Sequence, residues 1–233
     1  MSTSEKKQSK KAWEEAYETL EQLIMDSQLT PGEAITEDYL AERLGVSRTP
    51  IREAIKRLEE KGLIVSSNGR KRVHLLTIQE MEEMFDIKIC LEGRLVRWAV
   101  ERGSEQAFGE LGAIVAEMRS FVENSAGDEQ REESELQEWL IIDRRLHQLV
   151  FQMANAPKTE RIIHNLNLQW HRLKIGSLTL QGRMHRSIQE HESFVRAILD
   201  KDADEAERCM KSHLETIKRE MVKLMTMFQY PAQ

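Results

Sequence analysis

Between Thr36 and Ile64 the chain reads TEDYLAERLGVSRTPIREAIKRLEEKGLI, and few folds accept that order of residues. Leu40, Leu44 and Val46 are spaced to bury one side of a short helix and the turn that follows, with Gly45 supplying the bend. Ser47 is placed to cap a second helix. Pro50 falls in its first turn, where a missing N–H costs nothing, and Ile51, Ile55 and Leu58 supply an apolar stripe. Gly62 marks the end of that helix. Leu63 to Val65 then open an extended run that returns through Val73 to Leu76. The pattern predicts a helix-turn-helix followed by a two-stranded wing, a unit that usually serves to set one helix in the DNA major groove.

Charge supports that expectation locally, although the chain as a whole is acidic at −6. From Arg43 to Arg72 there are nine Lys/Arg against three Asp/Glu, whereas Thr77 onward holds 21 bases and 27 acids. One basic module on an acidic body lets a phosphate-facing surface coexist with a negative net charge.

At 233 residues and 40% hydrophobic content, the chain can build two domains with real cores or one large one. No stretch approaches the length of a membrane span, and MSTSEKKQSKK has no apolar core of a signal peptide, so the expected location is the cytoplasm. Cys90 and Cys209 are far apart in segments of helical pattern and read as buried thiols. Residues 1–10 read as a polar tail, and Ala12 to Ser27 as an amphipathic helix. After Leu76 the pattern is helical almost throughout, broken near Gly103–Ser104, Asn124–Asp128, Asn155–Pro157, Gly176–Gly182 and Asp200–Ala203, which leaves about six helices. The expected architecture is mainly α: a winged helix-turn-helix DNA-binding domain over 1–76, then an all-α bundle over 77–233.

GVSRTPIREAIKRLEEKGLI resembles the recognition-helix segment of GntR-type bacterial transcription regulators. The helical remainder is similar to the FadR-like branch with its FCD effector domain, through LEGRLVRWAV (Leu91–Val100), DRRLHQLVFQMANAP (Asp143–Pro157) and EHESFVRAILDKDADEAERCMKSHL (Glu190–Leu214). The resemblance implies a homodimer on a pseudo-palindromic operator, held together and tuned by the helical domain. Matched position by position, it implies DNA contacts from Arg43, Ser47, Arg48, Thr49 and Arg52, and from Gly69 and Arg70 in the wing. An arginine there can fork onto guanine, while Thr49 and the helix N-terminus suit phosphate. Glu53 either holds Arg52 in place or is an ordinary ion-pair partner. The family's wing glycine stands one place earlier here, at Gly69, and Arg70-Lys71-Arg72 follow; that shift suits a phosphate grip better than minor-groove insertion.

Asp143 and His147 lie four apart in a helical pattern, on one face together. The break at Asp200–Ala203 lets two later helices fold back on each other and sets His191 beside His213. Three imidazoles and a carboxylate suit Zn²⁺, Ni²⁺ or Mn²⁺ with open positions left for a ligand. Inward histidines are also ordinary hydrogen-bonded core groups, and spacing alone leaves both readings open. The resemblance favours the metal, because FCD domains with metal sites use an Asp, a His four later, and two further His about 22 apart. It leaves His74, His164, His171 and His185 outside the ligand set. A small carboxylate effector could then bind the metal together with a cation, the candidates being Lys88, Arg94, Arg144 and Arg172. The expectation is a metabolite-responsive regulator, a repressor relieved by its ligand. The alternatives are a direct metal sensor and a metal-dependent hydrolase; against the latter stands the absence of HExxH, a phosphate loop or a nucleophile elbow.

Overall fold

The computed structural model describes residues 3–124, 133–178 and 182–231, and excludes the side chains of 3–11, 133, 171–172 and 175–177. Among the described residues there are nine helices and three short strands, arranged in two compact units. One unit is Met1–Leu76 with Leu168–Arg172; the other is Thr77–Asn167 with Leu173–Gln233.

The first unit runs α1 (Thr3–Met25), β1 (Ala34–Ile35), α2 (Glu37–Leu44), α3 (Arg48–Glu60), β2 (Ile64–Ser67) and β3 (Arg70–Val73). Leu20, Ile24, Leu40, Ile51, Ile55, Leu58, Ile64 and Val73 form its core. Gly45 takes φ +67°, the left-handed bend that glycine reaches without a Cβ penalty. Ser47 does occupy the N-cap of α3, but its hydroxyl makes no capping hydrogen bond; the cap with a bond is Thr36, which accepts from the Tyr39 N–H at 3.1 Å. Val46, expected inside, is exposed, because the chain leaves α2 with that side chain turned to solvent. Residues 3–10, expected as a polar tail, continue α1 at the backbone level.

The strands pair in the order β1–β3–β2, all antiparallel, with Ile64 opposite Val73 and Ser67 opposite Arg70. The wing therefore has a third strand. Asn68 and Gly69 join β2 to β3 with φ of +51° and +72°, the two-residue loop whose twist matches that of the strands it connects.

The second unit contains α4 (Ile78–Arg102), α5 (Glu105–Asn124), α6 (Glu133–Ala154), α7 (Pro157–Leu178), α8 (Arg183–Leu199) and α9 (Ala203–Met227). A full capping box starts α4: Thr77 accepts from the Glu80 N–H, and the Glu80 carboxylate accepts from the Thr77 N–H at 2.8 Å. Helix α4 packs against α6 and α9, α5 against α6 and α8, and α8 against α9. The α8–α9 link turns through Lys201 at φ +58°, and Asp202 caps α9 by accepting from Glu205 N–H. Cys209 is buried as expected; Cys90 is exposed, on the outer face of α4. The expected breaks at Asn124–Asp128 and Gly176–Gly182 fall largely outside the described residues.

Candidate metal centre and nucleic-acid interface

The two units each carry a cluster of polar chemistry. In the first, Arg43 lies in the last turn of α2, Ser47 sits at the N-cap of α3, Arg48, Thr49 and Arg52 lie on its first turns, and Gly69 and Arg70 form the wing tip; all are exposed. Three of the four arginines, Arg43, Arg48 and Arg52, are held by specific partners. Arg43 donates to the Tyr39 hydroxyl at 2.8 Å. Arg52 grips the Glu37 carboxylate with Nε at 3.0 Å and a terminal nitrogen at 2.8 Å, and Arg48 reaches Asp38 at 3.1 Å and Glu37 at 3.7 Å. Of the two roles open to Glu53, the holding of Arg52 therefore belongs to Glu37, from the first turn of α2. The Arg52 bond is also the main reason the Glu37 carboxyl sits below its ordinary pKa.

In the second unit α6 supplies Asp143 and His147, α8 supplies His191 and α9 supplies His213. The hairpin of α8 and α9 brings the His191 and His213 rings to 4.6 Å between centroids, and His147 lies 5.4 Å from the first and 5.9 Å from the second. One ligand atom from each of the three lies within 4.8 Å of the others. Asp143 Oδ1 stands 3.2 Å from His191 Nε2 and 3.9 Å from His147 Nε2. His191 Nε2 and His147 Nε2 are 3.3 Å apart. Trp139 and Phe194, both wholly buried, close the apolar wall around the rings.

The outer nitrogens aim the inner ones. His191 Nδ1 donates to the Ser187 carbonyl at 2.6 Å, since a carbonyl only accepts, and this turns Nε2 toward the cluster. His213 Nδ1 donates to Glu190 at 2.7 Å with the same result. Glu190 is in turn held by Arg183 at 3.2 Å, and Arg183 Nε reaches Glu220 at 2.7 Å. His147 Nδ1 lies 3.8 Å from Glu92, whose other oxygen is paired with Lys88.

Burial also sets the charges. It pushes the His147 pKa down to about 3 against the pull of Asp143, and His191 adds to the depression. The same burial, with His191 and Arg183 nearby, holds His213 well below its usual range. Burial alone would raise Asp143; the Lys174 ammonium and the neighbouring histidines outweigh it and keep the carboxyl well below normal. At neutral pH the cluster thus offers neutral imidazoles at His147 and His213 and an ionised carboxylate, the protonation states that metal ligands require. A divalent ion holds each nitrogen at about 2.1 Å, so the nitrogens of a tetrahedral set stand about 3.4 Å apart. His147 and His191 Nε2 already stand at 3.3 Å, and a span of up to 4.8 Å must shorten by roughly 1.4 Å.

Of the three proposed effector cations whose side chains are described, Lys88 alone is placed near this cluster, buried between Glu92 and Asn167. Arg94 is exposed and stacks over Trp98 at 5.3 Å, and Arg144 is exposed on the outer face of α6. Arg172 and His171 lie outside the described side chains. Two further groups that no spacing singles out in the sequence join the cluster: Lys174 pairs with Asp143, and Glu190 with His213. Glu190 follows a different direction from its neighbour His191 on α8 and so meets His213 across the hairpin. A cleft of about 400 Å³ opens beside that contact, lined by Glu190, His213, Ser193, Arg196 and Ser212. A cleft of similar size, about 420 Å³, lies between α1 and α2 and has Arg43 in its lining.

A basic winged helix-turn-helix unit followed by a helical unit defines a DNA-binding transcription regulator. Residues 12–71 match the bacterial regulatory proteins of the gntR family, and residues 83–216 match the FCD domain. The chain belongs to the GntR family of regulators with a C-terminal FCD domain. It is 26% identical over 199 residues to the HTH-type transcriptional regulator YdhC of Bacillus subtilis, covering 84% of this chain and 85% of that one. It is 24% identical over 205 residues to the HTH-type transcriptional repressor RspR of Escherichia coli, covering 88% and 86%. The solved structure of E. coli McbR/YncC shares the fold, with a TM-score of 0.70 at 19% identity over 91% of this chain and 98% of that chain. The protein is a transcription regulator and not an enzyme, which disposes of the hydrolase alternative. Among the described residues no helix is long and apolar enough to cross a membrane.

Proposed function

We propose that this regulator is a homodimeric repressor whose grip on its operator is set by a small carboxylate bound at a divalent metal. The labour divides between residues 1–76, which read DNA, and 77–233, which bind effector and partner, in the cytoplasm. The observation that carries the metal reading is the convergence of three histidine ligand atoms within 4.8 Å, with the Asp143 carboxylate beside them. Such an ion, whether Zn²⁺, Ni²⁺ or Mn²⁺, supplies a fixed double charge with open positions for a carboxylate. Asp143, His147, His191 and His213 hold it, and Glu190 and the Ser187 carbonyl keep two of the imidazoles turned inward. The repressor sign follows the relative named as one. Arg48 and Arg52 read bases, and Thr49 and Arg70 take phosphate.

The enclosed cluster favours the metal as a resident cofactor over the metal as the signal, since buried ligands make a tight, permanently filled site. The test is metal content and promoter binding of wild type and His191→Ala after exposure to Zn²⁺, Ni²⁺ and Mn²⁺. One ion per chain in wild type, little in the variant, and operator release by a carboxylate in wild type alone are expected. No metal in wild type removes the metal centre and leaves the DNA-binding reading intact. Metal-dependent binding across physiological free-metal levels, with no response to any acid, gives the sensor reading instead.

A further inference from the structure

Asp143 divides its two oxygens between different neighbours. Oδ1 faces the imidazoles, 3.2 Å from His191 Nε2 and 3.9 Å from His147 Nε2. Oδ2 takes the ammonium of Lys174, which arrives from α7. Among the described residues, two other cations near the cluster are enclosed: Lys88 lies between Glu92 and Asn167, and Arg183 between Glu190 and Glu220, with side chains 3% and 4% exposed. The Lys174 side chain is 24% exposed against 5% for Asp143, so its charge stands at the rim of a buried centre.

We infer that Lys174 couples metal and effector: its ammonium repels the bare ion across the Asp143 carboxylate and turns favourable once a carboxylate ligand lies between the two positive charges. This rests on the metal-centred reading above. The physical basis is the sign of each pair. A divalent ion held by Asp143 would stand a few ångströms from the Lys174 ammonium on the same carboxylate, two like charges in surroundings that screen poorly. An anion bound to the ion, with its second oxygen toward Lys174, replaces that repulsion with two attractions. The coupling is reciprocal, so the factor by which the carboxylate tightens the metal is the factor by which the metal tightens the carboxylate. The ammonium is a point charge with rotatable donors, unlike a guanidinium fork, and so demands negative charge at that place while tolerating several carboxylate orientations. The effector class that follows is anionic; amides and alcohols of the same shape are rejected.

The experiment measures Zn²⁺ affinity of the full chain by competition with a chromophoric chelator, with and without lactate or acetate, which themselves chelate zinc weakly. Wild type, Lys174→Met and Lys174→Arg are compared, with Lys174→Gln in reserve if the methionine variant does not fold. In wild type the carboxylate should tighten Zn²⁺ by a factor within the usual coupling range of roughly 5 to 150. Lys174→Met should bind bare Zn²⁺ more tightly than wild type and lose most of the carboxylate dependence, while Lys174→Arg keeps it. A Lys174→Met protein with the wild-type bare-ion affinity and the wild-type carboxylate dependence overturns the coupling and leaves the metal centre standing. So does a wild type that holds Zn²⁺ but is indifferent to both acids. A wild type that takes up no Zn²⁺ instead brings down the metal-centred reading itself.

Discussion

His213 and His191 are aimed from outside the cluster, by Glu190 and by the Ser187 carbonyl, and such partners set both ring orientation and basicity. Glu190→Gln keeps the size and an acceptor oxygen but removes the charge that Nδ1–H faces. Metal affinity should fall by roughly 10- to 100-fold, the usual cost of an outer partner, while helical content is unchanged; an unchanged affinity would show that Glu190 only packs. The same burial makes stability depend on pH. The folded His147 titrates near 3 where an unfolded histidine titrates near 6.5, and His213 is lowered too, so between those values the unfolded chain holds protons that the folded one refuses. Their contribution is complete above pH 6.5 and is lost as pH falls below it, whereas the lowered Asp143 withdraws its share only under the usual carboxylate range. Chelator-treated protein should therefore be weaker in urea at pH 5 than at pH 7, by roughly 2 to 4 kcal/mol at about 1.4 kcal/mol per group per unit. A flat profile would mean that the folded imidazoles take up protons as readily as those of the unfolded chain. The i, i+4 spacing and the hairpin break foretold that Asp143, His147, His191 and His213 would converge, but spacing fits core histidines equally well, and the family resemblance alone marked these four as ligands. Lys174 and Glu190 were not legible, since each meets its partner only through helices that pack from elsewhere in the chain.

Helix ends show how local rules become architecture here. Thr77 and Glu80 satisfy each other's backbone N–H groups at the start of α4, which packs along both α6 and α9. Thr77→Ala should cost about 1 kcal/mol, read as a lower urea midpoint at unchanged slope; a changed slope would mean that the cap instead limits the unfolded or native ensemble. Similar rules made α2, α3 and the later helices readable in advance, since each has an apolar stripe between recognisable breaks. The wing was only partly readable. Its hairpin runs were legible as strands, but β1 is two residues long and owes its existence to pairing with Arg72 and Lys71, a contact that no periodicity announces. Val46 misled for a related reason: its spacing fits a buried face, yet the left-handed step at Gly45 rotates the chain before that face is reached.

At the scale of the whole chain the division of charge parallels the division of structure. The basic residues from Arg43 to Arg72 lie in the first unit, and the acidic excess lies beyond Thr77. Composition made that partition visible. It could not show that Leu168–Arg172, far along the chain, groups with the first unit, because that depends on where α7 comes to lie. Each unit has its own buried core, so each can lose its structure in its own transition. Every proposed metal ligand lies in the second unit, and an ion that binds only the folded form stabilises that form by mass action, by about 4 kcal/mol when its concentration is 1,000 times its dissociation constant. Calorimetry of metal-loaded protein should then resolve two transitions, of which chelator lowers one by several degrees and leaves the other in place. Assignment comes from His213→Ala: the same transition should already be low in that variant and stay there when metal is added. If chelator moves both transitions together, the units unfold as one cooperative body; if it moves neither, the three histidines hold no ion and serve the core alone.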